Sequence, residues 1–327
     1  MKPVVLTKIT DGVFNGNKRL VARAISIIEN GNSVSTDLLN AIYSKVGNAY
    51  RIGITGPPGA GKSTLTDYLT KYYRNAGKKV GIIAVDPTSP FTGGALLGDR
   101  VRMNQIGNDD GVFIRSMATR GSLGGLSKKT IDAADVLDAA GFEIIIFETV
   151  GVGQSELDIA QAADTTVVTL VPESGDSVQA MKAGLMEIGD IFVINKSDRP
   201  GADSAVMSLK TILMMHNQEP NQWESPIIQT VAYRNQGIVT LAENIELHKN
   251  FLIENNLFEK NRQSKLKIRI KNIISNQLEQ QIWNNDRELN LKNSLPKVLK
   301  GKLSPYIVAN KIISNFKNED NLRRQNA

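Results

Sequence analysis

The chain has 327 residues, 41% hydrophobic and 22% charged, with a net charge of +6, no cysteine and two histidines. That balance describes a globular protein with a full core, and the missing thiols exclude disulfides, thiolate metal sites and cysteine catalysis. No apolar run approaches the ~18 residues of a membrane span, and MKPVVLTKITDG carries neither a secretory apolar region nor an Arg-rich transit pattern, so a cytoplasmic protein without membrane attachment is expected.

The first predicted elements are helical. NKRLVARAISIIENG sets Leu20, Ala24, Ile27 and Ile28 on one stripe and stops at Gly31. STDLLNAIYSKVG repeats the pattern with Leu38, Leu39, Ile42 and Val46 and ends at Gly47. Apolar runs then alternate with helical segments: RIGIT (51–55), VGIIAV (80–85), VFIR (112–115), EIIIFE (143–148), TTVVTLV (165–171), IFVIN (191–195) and PIIQTVA (226–232). Continuous apolar runs mean strands covered on both faces, and helices between them mean parallel crossovers. The fold class is therefore α/β, a doubly wound, mostly parallel sheet. Ligands of such sheets sit at the carboxyl ends of the strands, so the loops after these runs should carry the chemistry.

From about Ile238 the pattern is helical. LKIRIKNIISNQLEQQIW places Leu266, Ile270, Ile273, Ile274, Leu278 and Ile282 on one side, and a further helix is expected after Pro305 with Ile307, Val308, Ile312, Ile313 and Phe316. The stretch Lys260–Asn272 is rich in cations but has no aromatic for base stacking, so it reads as the solvated face of a helix rather than a nucleic-acid stripe. The two histidines, His216 and His248, fall in helical segments and are expected at the surface or at its boundary.

GPPGAGKS, Gly56 to Ser63, is a complete G-x-x-x-x-G-K-[ST] phosphate loop, placed between a strand and a helix as the motif requires. Gly56, Gly59 and Gly61 let backbone N–H groups turn inward around phosphate oxygens, with Pro57, Pro58 and Ala60 completing the loop. Lys62 is expected on the β- and γ-phosphates, Ser63 on Mg²⁺, and Thr64 in the first helical turn beside the phosphates. NKSD, Asn195 to Asp198, ends a later strand. The Asp198 carboxylate can accept both N1–H and N2–H of guanine, a donor pair that adenine lacks. A site built this way rejects the wrong base by about 10⁴. Lys196 lays its stem over the ring and Asn195 ties the loops together, so the expected ligand is GTP or GDP.

ETVGVGQSE resembles the D-x-x-G signature of GTPases, with Glu148 in place of Asp and Val152 where Ras-like proteins keep the Gln that orients water. Glu148 is expected to act at Mg²⁺, through water. Asp86, ending VGIIAV, and Asp99, in TSPFTGGALLGDRVRM, are further candidates to hold the metal or orient water.

These motifs, with GNKRLVARAISIIENG, AVDPTSPFTGGALLGDRVRM, GDSVQAMKAGLMEIGD and LSPY, resemble the methylmalonyl-CoA mutase-associated GTPases, the MeaB/ArgK group formerly labelled lysine/arginine/ornithine transport kinases. The resemblance spans nearly the whole chain. It implies a P-loop GTPase that acts as a homodimer and as chaperone to an adenosylcobalamin-dependent mutase, gating cofactor loading and protecting the enzyme. It implies switch loops at Asp86 to Met103, Val150 to Glu156 and Glu173 to Lys182, with Gln179 and Lys182 as catalytic candidates beside Lys62, Asp99 and Glu148. The third switch departs from the family's glycine-rich form at Glu173, Ser174 and Ala180. With the resemblance, residues 1–48 read as an N-terminal helical extension, 49–250 as the GTPase domain and 251–327 as a helical dimerisation region. Two alternatives share features with it. One is a kinase or regulator for basic amino-acid transport, for which no substrate site is visible. The other is a metallochaperone GTPase, which would want Cys or His clusters to carry a metal such as nickel.

Overall fold

All seven apolar runs are strands in the computed structural model: β1 (Tyr50–Thr55), β2 (Val80–Asp86), β3 (Val112–Ala118), β4 (Ile144–Thr149), β5 (Thr165–Leu170), β6 (Ile191–Asn195) and β7 (Ile227–Thr230). The residues described are 3–31, 33–86, 106–118, 128–149, 155–174, 183–216 and 222–325. The strands form one sheet in the order β3-β2-β4-β1-β5-β6-β7, with every pairing parallel. Strand order reverses at β1, which lies between β4 and β5. This is the switch point where open α/β sheets bind ligands.

The helices follow in chain order. They are α1 (Pro3–Phe14), α2 (Lys18–Asn30), α3 (Ser33–Ile42), α4 (Lys62–Asn75), α5 (Lys128–Ala139), α6 (Ser155–Ala162), α7 (Ala183–Ile188), α8 (Ala202–His216), α9 (Ile238–Glu254), α10 (Leu257–Ile282), α11 (Asn285–Leu299) and α12 (Pro305–Gln325). The chain divides into two compact units, Met1–Asn261 and Arg262–Ala327.

In the first unit the strand pleat sends alternate residues to opposite layers. Ile145 and Phe147 of β4 join Ile83 and Val85 under α1, α2, α3 and α5, whereas Ile144 and Ile146 join Ile52, Ile54 and Ile82 under α4 and α9. A third cluster packs Val168, Leu170, Phe192 and Ile194 against Ala205, Leu209 and Leu213 of α8. The N-terminal helices thus share a core with the sheet. Asn17 caps α2 by accepting from the N–H groups of Arg19 and Leu20, and Gly31 ends it in the left-handed conformation. The stripe buried on α2 is Val21, Ala24, Ile25 and Ile28. Leu20 and Ile27 flank it, because a helix packed on both α1 and α5 buries a wider arc than one stripe.

Two helices in this fold carry weak sequence signals. Helix α1 contains Gly12, where a Cβ would fall 2.0 Å from Leu20 Cδ1, so the glycine permits the close approach of α2. Helix α11 carries Pro296 near its end. His248 corrects an expectation: it is buried at 2% exposure, its Nδ1 2.8 Å from Thr165 Oγ1 and its ring against Trp223. Helix α9 lies over the sheet there, so this face of the helix sees no solvent.

In the second unit, Asn284 caps α11 through the Arg287 N–H at 2.9 Å. The Arg287 guanidinium is buried, donating to the Ile282 carbonyl at 2.6 Å and lying 5.3 Å from the Phe316 ring centroid. Val308 and Ile312 of α12 are buried, whereas Leu266, Ile270, Ile274 and Leu278 of α10 are exposed along one side.

Asp138 fastens the turn before β1. Its carboxylate accepts from the N–H groups of Gly47 (2.8 Å), Asn48 (3.1 Å) and Ala49 (3.0 Å), with Arg51 3.6 Å away. Asp138→Ala should remove the carboxylate that these three N–H groups share, one of them in a buried bond, and cost about 2 kcal/mol. Urea unfolding that gives the wild-type free energy would show that the anchor contributes nothing.

Candidate active site

The carboxyl ends of β1, β4, β5 and β6 bring the sequence motifs to one edge of the sheet. After β1 the chain turns through the phosphate loop into α4, and the register sets Ile54 of β1 beside Glu148 of β4. Gly56 has φ 132°, and a Cβ there would lie 2.0 Å from the Thr169 carbonyl oxygen of β5. Gly61 has φ 91°, and a Cβ there would meet Asn195 Nδ2 at 2.3 Å. Both glycines are demanded twice, by conformation and by contact.

Helix α4 has no side-chain cap. Its first N–H groups, which have no partner within a helix, are therefore available to an anion lying in the loop. Lys62 is buried and donates from Nζ to the carbonyls of Gly56 (2.7 Å) and Pro57 (3.0 Å), which holds its cation at the rim of the loop. Ser63 donates its hydroxyl to Glu148 Oε1, and Glu148 is 1% exposed. Behind them Thr149 Oγ1 donates to Thr55 Oγ1 at 3.3 Å.

A hydroxyl and a carboxylate converging beside a phosphate loop form a hard, all-oxygen donor set. That chemistry fits Mg²⁺, which is bound by one or two protein oxygens plus phosphate and water. Among the described residues no group of three metal-ligating side chains exists. Asp99, Gln179 and Lys182 lie outside the described residues, as does the side chain of Asp86, whose backbone ends β2. The structure thus brings Lys62, Ser63, Glu148, Asn195, Lys196 and Asp198 together and is silent on the remaining candidates.

The base-reading loop is tied to the phosphate loop by two side chains. Asn195, 2% exposed, donates to the Ala60 carbonyl at 2.8 Å and accepts from Thr230 Oγ1 (3.0 Å) and the Ala232 N–H (3.1 Å). Lys196 adopts φ 57° and donates to the Gly59 carbonyl at 2.7 Å. Asp198 is exposed, and its Oδ2 accepts from the Tyr233 hydroxyl at 2.8 Å. That bond holds the Tyr233 hydroxyl above its ordinary pKa. Arg199 pairs with Glu173 across 2.5 Å.

Sequence reasoning missed Thr230, Ala232 and Tyr233. Their signal is positional: Thr230 ends β7, the strand beside β6, and Ala232 and Tyr233 follow it, so they land next to NKSD. With this geometry the site can grip a triphosphate, hold a divalent cation through Ser63, and present a carboxylate to a base.

Comparison with known proteins places the chain among GTPases. A family model described as methylmalonyl-CoA mutase-associated GTPase MeaB matches residues 21–287. The chain belongs to this family. A relative from Pyrococcus horikoshii whose name classes it as a GTPase is 47% identical over 315 residues, covering 96% of this chain and 98% of its own. GTPase ArgK of Escherichia coli is 36% identical over 230 residues, covering 68% of this chain and 70% of its own. A mouse protein, the mitochondrial methylmalonic aciduria type A homolog, is 29% identical and covers 95% of this chain and 79% of its own. A crystal structure described as LAO/AO transport system kinase superimposes with a TM-score of 0.74 at 26% identity, over 97% of this chain and 99% of the other. The protein is a P-loop GTPase of the MeaB/ArgK type, which binds and hydrolyses GTP.

Asn195 joins three segments of this GTPase in one buried side chain. Asn195→Ala should weaken GDP binding about 10- to 100-fold, since it removes hydrogen bonds to a buried carbonyl and a buried N–H at once. Calorimetric titration checks it, and an unchanged dissociation constant would mean that the loops hold their places without it.

Proposed function

We propose that this GTPase is a Mg²⁺-dependent, cytoplasmic homodimer that chaperones an adenosylcobalamin-dependent acyl-CoA mutase, gating cofactor loading and protecting the enzyme. The observation that carries the reading is the family match over residues 21–287, to a family described as associated with methylmalonyl-CoA mutase. The name of the mouse relative, which refers to methylmalonic aciduria, supports the same direction.

In this reading the loop Gly56–Ser63, with Thr64 at the start of α4, wraps the phosphates, and Lys62 moves its cation from the loop carbonyls to the phosphate oxygens. Asp198 accepts from guanine while Lys196 and Asn195 hold the base loop against the phosphate loop. Mg²⁺, when bound, would offset phosphate charge and polarise the γ-phosphoryl group. Ser63 and Glu148 would hold it, with Asp86 and Asp99 as further oxygen donors. The residue immediately after Gly151 is Val152 rather than glutamine, so in this reading positioning of the attacking water falls to another group. Gln179 and Lys182, in the sequence of the third switch, are our candidates for the contact a partner completes. A cation brought to the γ-phosphate acts on charge that develops in the transition state, and such a group supplied in trans is worth about 10³ or more in rate.

Single-turnover GTP hydrolysis with and without an adenosylcobalamin-dependent mutase tests this. The mutase should accelerate the wild type, and Lys182→Ala should keep GDP affinity and basal turnover while losing the increment. A mutase that neither binds the protein nor changes its rate would refute the chaperone reading.

The homodimer rests on the second unit, where α10 exposes Leu266, Ile270, Ile274 and Leu278 on one side. A stripe of that kind on a long helix suits burial against a copy of itself. Removal of residues from Asn261 onward should give a monomer that still binds guanine nucleotide. Light scattering that finds the full-length protein monomeric at micromolar concentration would exclude the dimer.

A further inference from the structure

Asp198 has a difficult task for an exposed side chain. Reading two adjacent ring donors with one carboxylate needs both oxygens in the plane of the base. Yet an exposed aspartate has three staggered χ1 wells and a broad χ2. Nothing in N-K-S-D itself fixes that plane.

The structure supplies a fixing group from another strand. Tyr233 lies in the short turn Ala232–Arg234 after β7, and its hydroxyl donates to Asp198 Oδ2 at 2.8 Å. This turn is rigid. Asn235 closes it in the left-handed conformation at φ 57°, and the Val231–Gln236 bridge pins its two ends. Gly237 follows at φ 78°, where a Cβ would meet the Gln229 carbonyl at 2.4 Å. The Tyr233 carbonyl accepts from the Tyr68 hydroxyl of α4 at 3.2 Å, and the Arg234 guanidinium sits 5.1 Å from the Tyr233 ring centroid. The same turn is bolted to the base loop, since the Ala232 N–H donates to Asn195 and the Ser197 N–H donates to the Thr230 carbonyl.

We propose that Tyr233 is a specificity-determining positioning residue, whose hydroxyl fixes the Asp198 carboxylate in the plane needed to read two neighbouring ring donors. The proposal rests on the reading of Asp198 as the base acceptor. Tyr233 is 54% exposed, so its ring contributes little to the core, and its polar end is what the site uses. A carboxylate oxygen has two acceptor positions. Oδ2 can therefore keep the tyrosine on one side and take a ring N–H on the other. A tyrosine hydroxyl is a proton donor at neutral pH, and the bond to Asp198 raises its pKa further.

The test compares GDP with IDP, which lacks the 2-amino donor, on the full-length protein by equilibrium titration. Tyr233→Phe keeps the ring and removes the oxygen. It should raise the GDP dissociation constant about five- to tenfold, the scale of one hydrogen bond, and the IDP constant about twofold or less. The GDP/IDP preference therefore shrinks, with the thermal midpoint unchanged. In an Asp198→Ala background the same substitution should change neither constant. An unaltered GDP/IDP ratio in Tyr233→Phe, or an equal loss in both backgrounds, overturns the proposal. The Asp198→Ala protein alone checks the underlying reading: if it still prefers GDP to ADP as the wild type does, Asp198 is not the base acceptor, whatever Tyr233 does.

Discussion

The nucleotide end of this protein depends on how closely β1 passes between its neighbours. At Gly56 a side chain of even one carbon would overlap the Thr169 carbonyl of β5. The loop can leave the sheet only through a residue without Cβ at positive φ. That contact sets where the loop begins, and the Asn195 amide against Ala60 and Gly61 sets where it ends. Between these two points the backbone has one path, and Lys62 is carried to its place at the head of α4. The cradle is thus a consequence of parallel strand packing, with no dedicated scaffold of its own.

A parallel sheet also explains why Asn195 meets Ala60, 135 positions away. Every strand in the sheet ends on the same edge, so Ser63 after β1, Glu148 in β4 and Asn195 in β6 reach one place without any long loop. Glu148 and Asn195 are buried at that edge and Ser63 is half-buried, and buried polar groups are worth most when satisfied. Asn195 uses its amide N–H for the phosphate loop and its oxygen for the turn after β7. One side chain thereby makes the loops a single body, which is the preorganisation a nucleotide needs if binding is not to include their ordering cost.

How much of this could be read from the sequence follows from how each feature is encoded. The strands were legible because burial on both faces writes an unbroken apolar run, and β1 through β7 fall where those runs are. The phosphate loop and NKSD were legible because their chemistry fixes residue types at fixed spacing. Within the stretches read as helical, α1 and α11 were not singled out: Gly12 serves Leu20 across the interface rather than its own helix, and Pro296 looks like a stop. Thr230, Ala232 and Tyr233 were missed because they act on Asn195 and Asp198 rather than on a ligand. Such residues have no motif; only the order of strands brings them there. His248 escaped for a related reason, since a lone histidine on a helix says nothing of the threonine and tryptophan that enclose it.

The glutamate at position 148 has a physical account in the same geometry. Glu148 stands beside Ile54 across the sheet and must reach past the end of β1 to the first turn of α4. Its side chain is one methylene longer than aspartate, and it bonds the Ser63 hydroxyl directly. A shorter acid would leave a gap there for water to bridge. A serine hydroxyl has one proton and two lone pairs. With the proton given to Glu148, the lone pairs are free to turn toward a cation in the loop. A partner that orients a metal-binding oxygen in this way tunes the site without touching the metal. On the function proposed above, the glutamate would act behind Ser63 and would meet the ion through water. The change from Asp to Glu keeps the charge and moves it closer to the hydroxyl that it directs.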